Sequence, residues 1–204
     1  MVGIVDYGSG NIHAISNIYK RLNIEHIISN DFNKLKLATH LLLPGVGAFD
    51  ETMSILNSSG LKTFLDEMVL EKQKPIMGIC VGMQLLSEGS EEGDLQGFGW
   101  IKGHVRKFDA SLLNEKPHLP HLGWNTVEIK KEHSIFKDID YHKGFYFLHS
   151  YYFDCANNDD VLGSTNYGIT YASAVNHRNV FGMQFHPEKS HQNGLNIFSN
   201  FSKI

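Results

Sequence analysis

The residue best suited to covalent chemistry is Cys80, which lies between two glycines in Gly78-Ile79-Cys80-Val81-Gly82. A short apolar run precedes this segment and a helical pattern follows it, which matches a nucleophile elbow with cysteine in place of serine. Such a turn needs small residues, because a Cβ there would collide with the neighbouring strand or helix. A sulfur at a helix N-terminus is favoured as thiolate. A buried core cysteine is the alternative interpretation of this stretch alone.

A base and a carboxylate follow the last predicted strand, in the segment Gln184-Phe185-His186-Pro187-Glu188-Lys189-Ser190. His186 and Glu188 are two residues apart, and in an extended chain such positions point to the same side. Pro187 favours an extended conformation at the residue before it. We therefore expect the imidazole and the carboxylate to lie along one line. Together with Cys80 they are the parts of an acyl-transfer site.

A glycine turn, Pro44-Gly45-Val46-Gly47, follows a third predicted strand. Backbone N–H groups of such a turn lie at the carboxyl edge of the sheet, where open α/β sheets bind their ligands. The N–H of Val46 or Gly47 could then complete an oxyanion hole. A plain connection between a strand and a helix is the alternative.

The order of the predicted elements indicates how these segments meet. The first half of the chain alternates strand and helix, whereas the second half is mainly strand, which predicts a parallel sheet with an antiparallel extension in one α/β domain over 1–204. Strands are predicted at 2–5, 25–29, 40–43, 100–108, 126–129, 144–153, 161–164, 171–176 and 180–185, and helices at 11–22, 31–38, 49–57, 61–71 and 192–201. Residues 110–118 are polar and are predicted to be mobile. Residues 120–125 place histidine, glycine, tryptophan and an amide side by side before the strand at 126–129; a turn with a core tryptophan is one interpretation, and the segment stays open.

Composition excludes several classes of function. The 204 residues carry a formal net charge of -4 without a long basic stretch, which argues against nucleic-acid binding. Apolar runs are too short to cross a bilayer, and residues 1–6 lack the features of a signal peptide. Two cysteines, Cys80 and Cys155, suit a reduced cytoplasmic protein, and the role of Cys155 stays open. The twelve histidines form no pair with ligand spacing, so no metal site is predicted.

These segments together resemble the class I glutamine amidotransferases and, more narrowly, the glutaminase subunits of imidazole glycerol phosphate synthases. The resemblance also rests on the segments at 6–11, 120–125 and 147–151. It implies a doubly wound, flavodoxin-like sheet and a triad of Cys80, His186 and Glu188 that needs no cofactor. Cys80 attacks the side-chain amide of glutamine, His186 transfers the proton, and Glu188 orients His186.

The resemblance also implies how the substrate is held. The oxyanion is bound by the N–H of Val81 and by the turn at Val46 and Gly47. Gln84 lies one helical turn beyond Cys80, so its amide can face the same pocket. The resemblance assigns substrate binding to Gln84, His149, Ser150 and Tyr151. A solvated helix residue is the alternative for Gln84.

Ammonia is the useful product in this family, and it passes to a cyclase partner of (β/α)₈-barrel fold. The implied heterodimer makes imidazole glycerol phosphate and an aminoimidazole carboxamide ribotide in histidine biosynthesis. The resemblance implies weak glutaminase activity without that partner. The predicted partner surface consists of Tyr7, Gly8, Asn11, Trp124, Asn125, Tyr146 and Lys189.

Two residues differ from the pattern of the glutaminase family and leave alternatives open. Val81 stands where leucine is expected in the family, and Leu122 stands where methionine or isoleucine is common. A paralogous glutaminase could instead feed an amidotransferase that modifies a surface-polysaccharide sugar. Further alternatives are a non-enzymatic regulatory protein and a cysteine hydrolase of γ-glutamyl or peptide substrates.

Overall fold

Two sheets and six α-helices make up the part of the chain that the computed structural model describes, residues 1–113 and 119–204. The strands are β1 Val2–Val5, β2 His26–Ser29, β3 His40–Gly45, β4 Ile76–Cys80, β5 Gly89–Ser90, β6 Gly103–Lys107, β7 His121–Asn125, β8 Glu128–Ile129, β9 Phe145–His149, β10 Tyr151–Cys155, β11 Val161–Tyr167, β12 Ile169–His177 and β13 Val180–Met183. The helices are α1 Ile12–Arg21, α2 Phe32–Lys36, α3 Phe49–Ser58, α4 Leu61–Asp66, α5 Val81–Gln84 and α6 His191–Phe201.

Five parallel strands form one half of the large sheet, in the order β2-β1-β3-β4-β13. Their apolar side chains are buried because helices cover both faces of such a sheet. Strand β4 lies between β3 and β13, with Cys80 opposite Gly45 and Ile79 opposite Met183. The carboxyl ends of the strands that precede the glycine turn, the elbow and His186 therefore meet at one edge.

Antiparallel strands extend the sheet beyond β13, in the order β12-β10-β6, with β11 paired to β12 and β8 paired to β11. The predicted α/β class with a mostly parallel centre and an antiparallel extension is confirmed. One continuous hydrophobic core joins the two halves, from Val2 on β1 to Phe153 on β10 and Phe201 on α6.

The second half of the chain departs from the sequence analysis in two places. Residues 121–125, which the sequence left open, are strand β7 rather than a turn, because they pair with β9 in a separate two-stranded sheet. The aromatic run at 144–153 is two strands, since β9 pairs with β7 whereas β10 pairs with β6 in the large sheet. The segment at 110–118, predicted to be mobile, starts with the 3-10 turn Ala110–Leu112, and its residues 114–118 lie outside the described residues.

Candidate active site

The turn at Cys80 has the geometry of a nucleophile elbow. Cys80 ends β4 and precedes α5 with φ 55° and ψ -114°, a positive-φ conformation that costs free energy in a non-glycine residue. A Cβ on Gly78 would lie 2.3 Å from the Gly82 carbonyl oxygen, and one on Gly82 would lie 1.9 Å from the Leu43 carbonyl oxygen. Both predicted glycine requirements are therefore confirmed.

The Cys80 sulfur is nearly buried and lies beside polar groups from two other segments. Its thiol donates to the Leu148 carbonyl oxygen at 3.8 Å, and Gln184 Nε2 donates to the sulfur at 3.9 Å. The His186 imidazole lines the same cavity and is close enough for Cys80 to raise its pKa. A sulfur in this setting can transfer its proton to an adjacent imidazole, as a cysteine nucleophile must.

His186 lies between Cys80 and Glu188. Its Nδ1 is 2.9 Å from Glu188 Oε1, and the two side chains are 4% and 2% exposed. Burial lowers the pKa of His186, but hydrogen bonds and charges from Cys80 and Glu188 outweigh it and raise the pKa to about 10. Because Nδ1 faces the carboxylate, Nε2 is the ring atom left for the sulfur. The arrangement favours a proton on the imidazole.

The pairing of His186 with Glu188 does not come from an extended chain, as the sequence suggested. Residues Pro187–Lys189 form a 3-10 turn, and the Lys189 N–H donates to the His186 carbonyl oxygen at 3.0 Å. Ser190 Oγ donates to the same oxygen at 2.7 Å. The turn folds the carboxylate back onto the imidazole, so the predicted neighbours meet through a different backbone path.

One cavity of about 240 Å³ collects most of the predicted site residues. This is below the ~300–1,000 Å³ typical of drug-sized ligands, so it suits a small molecule. Larger cavities of about 410 Å³ lie elsewhere and contain neither Cys80 nor His186. The predicted residues that line it are Val46, Gly47, Cys80, Val81, Gln84, His149, Ser150, Tyr151 and His186. Glu188 is not among the lining residues and contacts the far side of the His186 ring.

Gln84 is only 2% exposed, which rules out a solvated helix residue. Its Nε2 donates to the Tyr151 carbonyl oxygen at 3.0 Å and to Gln184 Oε1 at 3.1 Å. The two N–H groups of the amide are therefore bound to protein oxygens. Its acceptor Oε1 is the atom that the side chain can offer to a ligand.

The glycine turn is held by the loop after β1. The Val46 N–H donates to Ser9 Oγ at 3.4 Å, and Ser9 Oγ donates to the Val46 carbonyl oxygen at 2.5 Å. The Tyr7 hydroxyl donates to the Pro44 carbonyl oxygen. The Val46 N–H is thus engaged by a serine in this structure, whereas Gly47 is exposed with φ +113°.

The residues of the predicted partner surface differ in exposure. Trp124 is 48% exposed, and Gly8 and Lys189 are also exposed. Tyr146 and Asn125 are partly buried, and so is Asn11. Lys189 Nζ lies 5.4 Å from the centre of the Tyr146 ring.

Tyr7 differs from the other members of this predicted surface, because it is buried and its hydroxyl is bound to Pro44. Its side chain therefore has little area to offer a partner and instead supports the glycine turn.

Sequence reasoning missed three residues at the site: Glu92, Leu148 and Gln184. Glu92 Oε2 accepts from the Phe49 N–H at the start of α3 at 2.9 Å, which brings the acidic loop to the cavity. Asp50 holds the same loop by accepting two of its backbone N–H groups at 2.8 and 3.0 Å. A run of acidic residues is typical of a solvated loop, so the sequence carried no signal for this contact.

Within the described part of the chain, no cluster of three or more histidine, cysteine or acidic side chains could hold a metal ion. The same residues contain no helix with the length and apolar character that a membrane span requires.

The fold and the site define a class of protein. The chain belongs to the class I glutamine amidotransferase family, since the model of glutamine amidotransferase class-I matches residues 3–204. A crystal structure described as glutamine amidotransferase aligns with a TM-score of 0.73 at 18% identity, over 100% of this chain and 99% of that one. The structure of PurLQS from Thermotoga maritima aligns with a TM-score of 0.69 at 18% identity, over 98% and 96%. At 18% identity, these two structural similarities are evidence for the fold alone.

Closer relatives carry one shared name, imidazole glycerol phosphate synthase subunit HisH. The protein from Bdellovibrio bacteriovorus is 48% identical over 204 residues, which is 100% of both chains. The protein from Leptospira borgpetersenii is 44% identical over the same coverage. A protein named HisH 2 from Pseudomonas aeruginosa is also 44% identical over 100% of both chains. The resemblance drawn from the sequence motifs is confirmed.

Proposed function

We propose that this chain is the glutaminase subunit of an imidazole glycerol phosphate synthase. It hydrolyses L-glutamine to glutamate and passes the ammonia to a cyclase partner in histidine biosynthesis. The names of the relatives support the histidine pathway and do not favour the surface-polysaccharide alternative. The observation that carries the glutaminase activity is the contact of His186 with both Cys80 and Glu188 at a cavity of amino-acid size.

The reaction follows from this contact. The Cys80 sulfur attacks the side-chain amide carbon of glutamine while its proton resides on His186. The C–N bond then breaks, and His186 returns the proton to the departing ammonia. Water, deprotonated by His186, hydrolyses the glutamyl thioester and restores the thiol. Glu188 holds the imidazole by its Nδ1 and supports its positive charge throughout.

The oxyanion of the tetrahedral intermediate is held by backbone N–H groups. Val81 follows the nucleophile, and its N–H lies at the first turn of α5. Val46 or Gly47 supplies the second donor. In this structure Ser9 holds the Val46 N–H, which supports weak activity of the chain alone. A partner that rearranges the turn would release that donor.

Polar groups are available for the two ends of the substrate. Glu92 contributes a carboxylate to the cavity, and Gln84 Oε1 contributes an acceptor, so both suit the α-ammonium of glutamine. The backbone at Ser150 and Tyr151 suits the α-carboxylate. His149 lies behind this backbone segment.

An exposed apolar face beside the cavity supports a protein partner. Leu122 and Trp124 on β7 and Leu148 on β9 are 54%, 48% and 38% exposed, and Leu122 pairs with Leu148 across the two strands. Apolar residues clustered on a surface mark interaction sites. We assign this face, together with Lys189, to a cyclase of (β/α)₈-barrel fold in a heterodimer. The two unpaired cysteines suit a cytoplasmic location.

Glutamate release tests the proposal. The chain is mixed with a candidate cyclase and its ribulosyl substrate, and Cys80→Ser is compared with Cys155→Ser, which alters the other free cysteine. We expect Cys80→Ser to lower the rate by at least about 10³-fold, as loss of a nucleophile does, while Cys155→Ser keeps it. Retained activity in Cys80→Ser would refute the proposal. Activity stimulated by a sugar-modifying amidotransferase instead of the cyclase would favour the alternative pathway.

A further inference from the structure

Three buried side chains that the reaction above does not use lie together at one side of the cavity, and one of them, His149, lines it. His121, His149 and Tyr171 are 3%, 6% and 3% exposed. The Tyr171 hydroxyl is 3.0 Å from His121 Nδ1 and 3.1 Å from His149 Nε2. One hydroxyl therefore bridges two imidazoles that belong to different strands, β7 and β9.

The direction of these hydrogen bonds can be assigned from the cavity outward. His149 Nδ1 lies 2.7 Å from the Tyr151 carbonyl oxygen, which can only accept, so Nδ1 carries a proton. Burial lowers the pKa of His149 to about 3 and that of His121 to about 4, so both rings are neutral near pH 7. His149 Nε2 is consequently an acceptor, and the Tyr171 hydroxyl donates to it.

The chain of hydrogen bonds continues in the same sense to the surface. The Tyr171 oxygen accepts from His121 Nδ1, which leaves His121 Nε2 to accept from Asn125 Nδ2 at 3.2 Å. The other N–H of that amide donates to the Asn166 carbonyl oxygen at 2.9 Å. The Asn125 oxygen accepts from the Thr126 N–H, which fixes the orientation of the amide. Each group thus donates toward the cavity, and aligned hydrogen bonds strengthen one another.

Both ends of this hydrogen-bond chain reach functional surfaces. At the inner end, the Tyr151 carbonyl oxygen also accepts from Gln84 Nε2. At the outer end, Asn125 lies beside Trp124 on the predicted partner surface. The His121 ring stacks on Phe147 with centroids 4.7 Å apart and planes inclined by 12°. Packing of this kind allows the ring little freedom to turn.

We propose that Tyr171 is a positioning residue for the glutaminase: its hydroxyl fixes the His149 ring and, through it, the Tyr151 carbonyl and the Gln84 amide that shape the substrate site. This inference rests on the proposed function only for the identity of the substrate. Removing the hydroxyl leaves an acceptor on His149 and a donor on His121 without their partner in a buried site. The backbone at 149–151 then loses its support.

Tyr171→Phe tests the role in catalysis, with Tyr152→Phe as the matched control. The Tyr152 ring packs on the rings of Phe108 and Tyr171 in the same aromatic cluster. We expect Tyr171→Phe to raise KM for glutamine about 5- to 20-fold with kcat changed less than about 2-fold, the signature of lost substrate positioning. Tyr152→Phe should leave both constants unchanged. An unchanged KM in Tyr171→Phe, or an equal rise in Tyr152→Phe, would overturn the proposal.

A second measurement uses the wild-type chain and requires neither enzymatic activity nor a variant that folds. Nitrogen-15 NMR of the wild-type imidazoles reports which ring nitrogen carries the proton. We expect His149 and His121 to be neutral with the proton on Nδ1 between about pH 6 and 8. A proton on Nε2 of either ring would overturn the inference. If the chain and its cyclase fail to release glutamate, the proposed function fails, and the NMR result still decides the hydrogen-bond chain.

Discussion

The Ser9 hydroxyl donates to the Val46 carbonyl oxygen at 2.5 Å and accepts from the Val46 N–H at 3.4 Å. A single serine therefore binds both polar backbone groups of the residue at the predicted oxyanion turn. Ser9 follows Gly8 and precedes Asn11, two members of the predicted partner surface. A partner that contacts this loop would act on the turn through one side chain.

Substitution of Ser9 by alanine should release the turn. Because a hydrogen bond contributes about 0.5–1.5 kcal/mol net, we expect Ser9→Ala to raise glutamate release by the isolated chain about 2- to 10-fold. Ser58→Ala serves as the control, since the Ser58 hydroxyl donates to the Ile55 carbonyl oxygen of its own helix at the exposed end of α3. A fall in the rate, or no change, would show that Ser9 does not restrain the turn.

Glu188→Gln should keep the shape of the triad and remove its negative charge. We expect kcat to fall by about 10²- to 10⁴-fold, as when the carboxylate of a related triad is made neutral. The pKa of His186 should also drop, because the charge and hydrogen bond of Glu188 help to raise it. Enzyme kinetics and NMR titration measure the two effects. Glu71→Gln, at an exposed site, is the control, and equal losses in both variants would contradict the assigned role.

Folding stability should decrease as the pH falls from about 6.5 to about 5. His121 and His149 have pKa values lowered to about 4 and about 3 by burial, while unfolded histidines titrate near pH 6.5. The unfolded chain binds more protons in this window, so the free energy of unfolding rises with pH by up to about 1.4 kcal/mol per unit for each histidine. His186 has a raised pKa, so its contribution is complete below pH 6.5 and is lost only toward about pH 10.

Urea denaturation at the two pH values measures this dependence. His121→Asn should reduce the pH slope of the unfolding free energy by up to about one proton. A slope in His121→Asn equal to that of the wild type would contradict the assignment of a buried neutral ring.

The apolar face on β7 and β9 should bind the cyclase. Trp124→Ala removes an exposed aromatic anchor, and we expect Kd for the cyclase to rise about 10- to 100-fold, as at interface hot spots. Leu122→Glu should weaken binding through a charge on the same face. Leu37→Glu is the control, because Leu37 is an exposed leucine just after α2. If calorimetry gives the same Kd for all three variants, this face is not the binding site for the cyclase.

The sequence predicted the geometry of the elbow and the class of the sheet correctly because local patterns determine them. Cys80 needs glycines on both sides, and strands that alternate with helices form a parallel sheet. The sequence-based prediction failed where pairing between strands far apart along the chain determines the structure. The aromatic run through Ser150 has uniform β propensity, yet pairing with β7 and then with β6 divides it. Propensity carries no information about which strand lies opposite.

The active site shows the same difference between features set by local sequence and features set by long-range contacts. His186 and Glu188 meet as expected, but through a 3-10 turn that Ser190 stabilises. Glu92 was missed because its position depends on the Phe49 N–H, 43 residues earlier in the chain. The Tyr171 bridge joins residues 22 and 50 positions away. Contacts of this range cannot be inferred from local sequence patterns.

Selective labelling of Cys80 tests the central claim most directly. A glutamine analogue with an electrophilic carbon at the amide position is added to the chain with its cyclase, and the modified peptide is identified by mass spectrometry. We predict one label per chain, on Cys80, blocked by excess glutamine and abolished in Cys80→Ser. A label on Cys155, or an unlabelled Cys80 in a complex that still hydrolyses glutamine, would contradict the account.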